Sequence, residues 1–83
     1  MAEVYNIAYD ELGFRGTNVR SFKAQLTGSS STITSATHKF GSSLNTVIIA
    51  VEGTNGATYT ISGTTITVTG TNNDYVNCII TGR

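Results

Sequence analysis

The chain has no proline and no tryptophan, one cysteine and one histidine, and charged side chains make up only 12% of its 83 residues. Each shortage excludes something. Cys78 alone allows no internal disulfide, and with no Cys or His cluster there is no metal staple. Five Lys and Arg balance five Asp and Glu, which removes the electrostatic footprint of a nucleic-acid or anionic-membrane binder. No apolar run approaches the roughly 20 residues that span a bilayer, and the start of the chain lacks the basic-then-apolar pattern of a signal peptide. We therefore expect synthesis in a cytosol. None of the seven Asn residues stands in an Asn-x-Ser/Thr acceptor site.

What is abundant is β-branched. Val and Ile together number 14 and Thr 15, whereas the helix formers Leu, Ala, Glu and Lys are sparse. Such side chains lose rotamer freedom in helices and pack well on a pleated surface. A single domain of this length buries only about 60 to 65% of the surface of its unfolded chain. Without disulfide or metal, oligomerisation is the usual remaining support.

Alternation is clear from Val19 onward. In Val19 to Thr27, Phe22, Ala24 and Leu26 share one face. From Thr32 to Phe40 the phase of Ile33 disagrees with that of Ala36, His38 and Phe40, which predicts a bulge or bend near Thr34 or Ser35. Thr46 to Val51 is apolar on both faces and reads as the most buried, central strand. Gly53-Thr54-Asn55-Gly56 then predicts a hairpin, with Ala57, Tyr59 and Ile61 inward. Ser62-Gly63 is a second tight turn into Thr64 to Thr69, where Ile66 and Val68 face in. After Gly70 to Asp74 comes a last strand, Tyr75 to Thr81, with Val76, Cys78 and Ile80 on one face. The expected core is Val47, Ile49, Val51, Ile61, Ile66, Val68, Val76 and Ile80.

The first 18 residues fit two patterns. Val4, Ile7, Ala8 and Leu12 make a helical stripe, whereas Tyr5, Ile7 and Tyr9 alternate as a strand. We take them as a strand or extended arm, with the turn-rich Gly13 to Asn18 letting it swing onto the sheet or a neighbour. Glu3, Val4, Tyr5, Ile7, Tyr9, Leu12 and Phe14 are the candidate contact residues. The fold class is all-β: one small antiparallel sandwich or barrel of about six or seven strands over residues 1–83. A Thr-rich solenoid would need a fixed repeat period, and none is visible.

Candidate chemistry is thin. Cys78 and His38 are the residue types of a nucleophile and base, but Cys78 sits in an apolar strand and His38 shares a face with Ala36 and Phe40, so packing roles are expected. Adjacent Asp10 and Glu11 would point to opposite faces of a strand, poor geometry for a shared acid and base. Asn72-Asn73-Asp74 offers one carboxylate where a Ca²⁺ site needs six or more oxygens, and reads as a turn. Phosphate-loop spacing and a GxSxG elbow are both missing. Tyr5, Tyr9, Tyr59 and Tyr75 could serve as aromatic platforms for a carbohydrate. We expect no catalytic, cofactor or metal site.

The strands themselves carry more. Between Lys39 and Arg83 only Glu52 and Asp74 are charged. Soluble monomers usually protect sheet edges with Lys, Pro or bulges, so an uncharged edge is either covered by an arm or used to pair with another chain.

Thr37-His38-Lys39-Phe40-Gly41, then Val47 to Val51, Asn55-Gly56, Thr65-Ile66-Thr67-Val68 and the closing Ile79-Ile80-Thr81-Gly82-Arg83 together resemble a β-sandwich pattern of bacteriophage virion proteins. The likeness covers the C-terminal half. It implies a head-decoration protein or a tail-appendage module, oligomeric and not enzymatic. The expected partners are copies of itself, a trimer being one arrangement, and the major capsid protein, with no nucleic acid and no membrane; the expected location is the virion, after synthesis in the host bacterial cytoplasm.

Overall fold

The computed structural model describes residues 2–10 and 18–83. It is an all-β fold, with eight strands and one helical turn among the described residues. The strands are β1 (Ala2–Glu3), β2 (Tyr5–Tyr9), β3 (Val19–Gln25), β4 (Ser30–Ile33), β5 (Leu44–Val51), β6 (Thr58–Ser62), β7 (Thr65–Thr69) and β8 (Tyr75–Gly82), with α1 (Ser35–His38) between β4 and β5. Two four-stranded sheets form, ordered β1-β4-β7-β6 and β2-β3-β8-β5. All pairings are antiparallel except the short β1–β4 pair.

The alternation that the sequence displays becomes the core. Phe22 and Ala24 from β3, Val76, Cys78 and Ile80 from β8, Ile33 from β4, and Ile66 and Val68 from β7 project between the sheets and form one buried cluster, joined by Val4, Leu26 and Phe40. Sheet-on-sheet packing of this kind is what alternating apolar strands require to leave water. The β6–β7 hairpin turns on Gly63 and Thr64, and Gly63 adopts φ +61°, the left-handed conformation that a tight two-residue turn places on glycine. Gly82 is required for a different reason: a Cβ there would run into the Ser43 carbonyl oxygen and crowd Phe40.

Three expectations change. The phase break after Ile33 is not a bulge but one turn of helix, α1. Thr34 caps it, accepting a hydrogen bond from the Ala36 N–H at 3.3 Å, and Lys39 ends it at φ +64°. A helical turn changes facing by its own period, which is why Thr37, His38 and Phe40 can all be buried. Second, the segment after β5 is not a hairpin. Residues 52–57 carry the chain from the second sheet to the first.

Third, β5 is an edge strand and not a central one. Val47, Ile49 and Val51 are half-buried against the core, while Ile48 on the outer face is 53% exposed. Ile61, expected in the core, is 49% exposed because β6 is also an edge. The N-terminal segment takes the strand reading and lies on its own sheets. β1 pairs with β4, Val4 is buried, and β2 pairs with β3, so one short segment supplies an edge strand to each sheet. Leu12 and Phe14 of the expected contact set lie outside the described residues.

Candidate functional site

The two flanks of the sandwich are built differently. On the N-terminal flank the fastening begins at Glu3. Its carboxylate accepts hydrogen bonds from the Thr34 N–H (2.9 Å), the hydroxyls of Thr32 (3.0 Å) and Thr34 (3.2 Å), and the Thr37 hydroxyl. Partial burial works against the charged form, yet the Thr34 N–H and the Thr37, Thr32 and Thr34 hydroxyls outweigh it and hold the Glu3 pKa below the usual carboxylate value. This cradle joins β1 to the β4–α1 corner. Tyr9 extends it: its ring packs on Phe22 at 5.6 Å and its hydroxyl donates to the Thr37 carbonyl at 2.8 Å. Burial, followed by the negative charge of Glu3, raises the Tyr9 pKa.

Further along, β2 carries a register shift between Tyr5 and Ala8, with Asn6 at φ +51°. Tyr5 donates to Asn73 Oδ1 at 2.8 Å and Asn6 to Gln25 Oε1 at 2.7 Å. A bulged, hydrogen-bonded edge is a poor template for another strand.

The opposite flank is formed by β5 and β6. Which backbone groups face outward follows from the ladder. Glu52 N–H donates to the Tyr75 carbonyl, Arg83 N–H to Ser43, and Gly82 N–H to Asn18, so odd-numbered residues of β8 bond toward β5 and even-numbered ones toward β3. Their partners on β5 are Thr46, Ile48 and Ala50. The N–H and C=O groups of Val47, Ile49 and Val51 therefore point away from the sheet. Tyr59 of β6 reports the same direction, since its hydroxyl donates to the Val47 carbonyl at 2.9 Å. By the same parity, Gly70 N–H bonding to the Ser29 carbonyl turns Tyr59 and Ile61 of β6 outward at the backbone. Among the described residues, no strand pairs with either outer edge.

These edges bear no charge: β5 reads Leu-Asn-Thr-Val-Ile-Ile-Ala-Val and β6 Thr-Tyr-Thr-Ile-Ser. Apolar surface accompanies them. Ile48 lies beside Ile79, which is 45% exposed, on the outer face, and Tyr59 and Ile61 stand at the mouth of the gap between the sheets. Just past the end of β5, Glu52 pairs with Lys23 at 3.0 Å.

The other candidates have structural duties. His38 is fully buried; its Nε2 donates to the Thr64 carbonyl at 2.7 Å and its Nδ1 accepts from the Phe40 N–H at 3.0 Å, so both nitrogens are used in the neutral ring. Cys78 is buried as well, and burial pushes its thiol up to about 12, far from a reactive thiolate at neutral pH. A depression of about 320 Å³ lies over β2, β3 and β8, bordered by Asp10, Ser21, Lys23, Asn77 and Ile79. Asn72 to Asp74 act as turn residues: Asn72 Oδ1 accepts from the Gly28 N–H at 2.8 Å and Asn73 sits at φ +71°. Among the described residues, no three His, Cys, Asp or Glu side chains gather as metal ligands, and no helix is long and apolar enough to cross a membrane.

Comparison with protein families, characterised proteins and solved structures finds no match to this chain.

The sequence signalled the uncharged strands but not their place at a border. Glu3 falls among the candidate contact residues, and nothing in its surroundings along the chain marks Thr32, Thr34 and Thr37 as its partners. Only the return of β4 beside β1 brings them together.

Proposed function

We propose that this chain is a structural protein of a bacteriophage virion, a decoration protein that sits on the capsid exterior as a homo-oligomer. The observation that carries the proposal is the β5/β6 border, where two uncharged edge strands and exposed Ile48, Tyr59 and Ile61 lie on one side of a very small domain. Such a border recruits other strands, and a small domain with a single cysteine and, among its described residues, no cluster of metal-ligating side chains gains support by association. The resemblance of the C-terminal half to a virion β-sandwich pattern favours the same setting. A tail or fibre component would use the border in the same way.

The test is light scattering on the purified chain, followed by co-sedimentation with shells of the major capsid protein encoded in the same genome. An oligomer that sediments with the shells is the expected result. A monomer at every concentration that leaves the shells bare would overturn the proposal, and an oligomer that binds tails instead would move it to the tail.

A second function has one observation in its favour. Tyr5, Gln25 and Tyr75 form a row across the outer face of the second sheet, both tyrosines more than one-third exposed, with Lys23 Nζ lying 5.1 Å from the centre of the Tyr75 ring. Aromatic faces beside amides suit a glycan. Glycan-array binding lost in both Tyr5→Ala and Tyr75→Ala would establish that role; an array with no binding would remove it.

A further inference from the structure

Resting on the self-association proposed above, we infer that β5 pairs with β5 of a second copy, antiparallel about a two-fold axis at Ile49, so that the second sheet runs on through both protomers. The hydrogen-bonding chemistry selects the occupant. A row of outward N–H and C=O groups at Val47, Ile49 and Val51 is matched by an extended strand with the same spacing. A second β5 supplies that row.

The register follows from parity. In an antiparallel ladder, residues that turn their backbone groups toward the partner exchange both bonds with the residue opposite. Centring the axis on Ile49 sets Ile49 against its own copy and Val47 against Val51, so every outward residue of the regular stretch is used. Shifting the axis to Ile48 would enlist Asn45, where the β5–β8 register is already irregular between Leu44 and Thr46.

Charge agrees with the match. From Gly41 through Val51 there is no charged residue, so the two strands meet without like-charge opposition. On the outer face Ile48, 53% exposed, would lie opposite Ala50 of the second copy. On the inner side Tyr59 and Ile61 of each protomer would flank the joint and become its core. Tyr59 now occupies the Val47 carbonyl; pairing would release its hydroxyl. The same patch meets itself, which closes the assembly at two copies and leaves no open end for a fibre.

Two measurements decide it. Ile48→Lys/Ala50→Lys places Lys opposite Lys twice across the axis, whereas Ile48→Lys/Ala50→Glu places Lys opposite Glu twice. By sedimentation velocity, the first variant should dissociate at least about tenfold more readily than the parent chain and the second should recover the parent's dimer, because cross-strand charge pairs act on adjacent strands. The second needs no substitution: in the associated parent chain, hydrogen exchange followed by NMR should show the amides of Val47, Ile49 and Val51 slowed along with those of Ile48 and Ala50. An oligomer whose Val47, Ile49 and Val51 amides exchange freely, or whose mass survives both double variants unchanged, would overturn β5 pairing while leaving self-association intact. A parent chain that stays monomeric at every concentration would overturn both.

Discussion

The N-terminal flank and the β5/β6 flank close the same two sheets with opposite chemistry. On the first, the eight residues Ala2 to Tyr9 provide both edge strands, bury Val4 and anchor the Glu3 carboxylate in a threonine cradle. On the second, uncharged strands end the sheets, and within the described residues the Tyr59–Val47 hydrogen bond is the side-chain bond that spans them. The flanks differ in composition, Ala2 to Tyr9 having two β-branched residues and no threonine while β5 and β6 are mostly Thr, Val and Ile, yet composition alone does not seal an edge. What separates them is whether another stretch of chain arrives to use the edge.

The largest effect should come from removing the sealed side. Deleting residues 1–9 takes away β1, Val4 and β2 together and exposes the β3 and β4 edges, and we expect loss of cooperative thermal unfolding by circular dichroism. An appended arm would behave differently: its loss would leave the melting transition in place and lower only the oligomer mass. Next come single truncations. Ile33→Ala or Ile66→Ala, both at fully buried positions, should cost about 2 to 5 kcal/mol in urea unfolding, whereas Ile61→Ala on the open flank should cost less than about 1 kcal/mol. Equal costs would mean that β6 is buried in solution.

Glu3 sharpens the contrast through pH. Its folded pKa lies below the ordinary value of 4.5, so its contribution is fully present above that value and is lost as pH falls through the folded pKa. Glu3→Gln should therefore destabilise the chain by about 1 to 3 kcal/mol at neutral pH, by the usual cost of removing a charged hydrogen-bond partner. In acid the gap between variant and parent should close. A constant gap from pH 7 to pH 3 would show that the loss is one of shape and not of charge. The smallest effect concerns the centre, which neither flank exposes: with its thiol up at about 12, Cys78 should not react with a disulfide reagent at pH 8 until denaturant is added.

Much of this was legible in the chain. Phe22, Ala24 and Leu26, Ile66 and Val68, and Val76, Cys78 and Ile80 alternate as the core strands do, and Gly63 sits where its turn needs a positive φ. The errors have a common source. Thr46 to Val51 carries apolar residues on both faces, and that pattern is the same for a strand covered by its own fold and for one left at an edge with Ile48 outside. Burial of Ile61 was likewise inferred from alternation, which tells the side of the sheet but not the distance from its border. The helical turn at Ser35–His38 was hidden because a single turn is too short to show a period.

Sequence alone determined the all-β class, the alternation that fills the space between the sheets, and the absence of charge along β5 and β6, since these follow from local side-chain chemistry and a two-residue repeat. Only the tertiary structure decided which strands lie at the borders, that Glu3 meets Thr32, Thr34 and Thr37, and that Val47, Ile49 and Val51 turn their backbone groups outward. Those outcomes depend on the order in which distant strands pair, and neighbouring residues along a chain hold no record of that order.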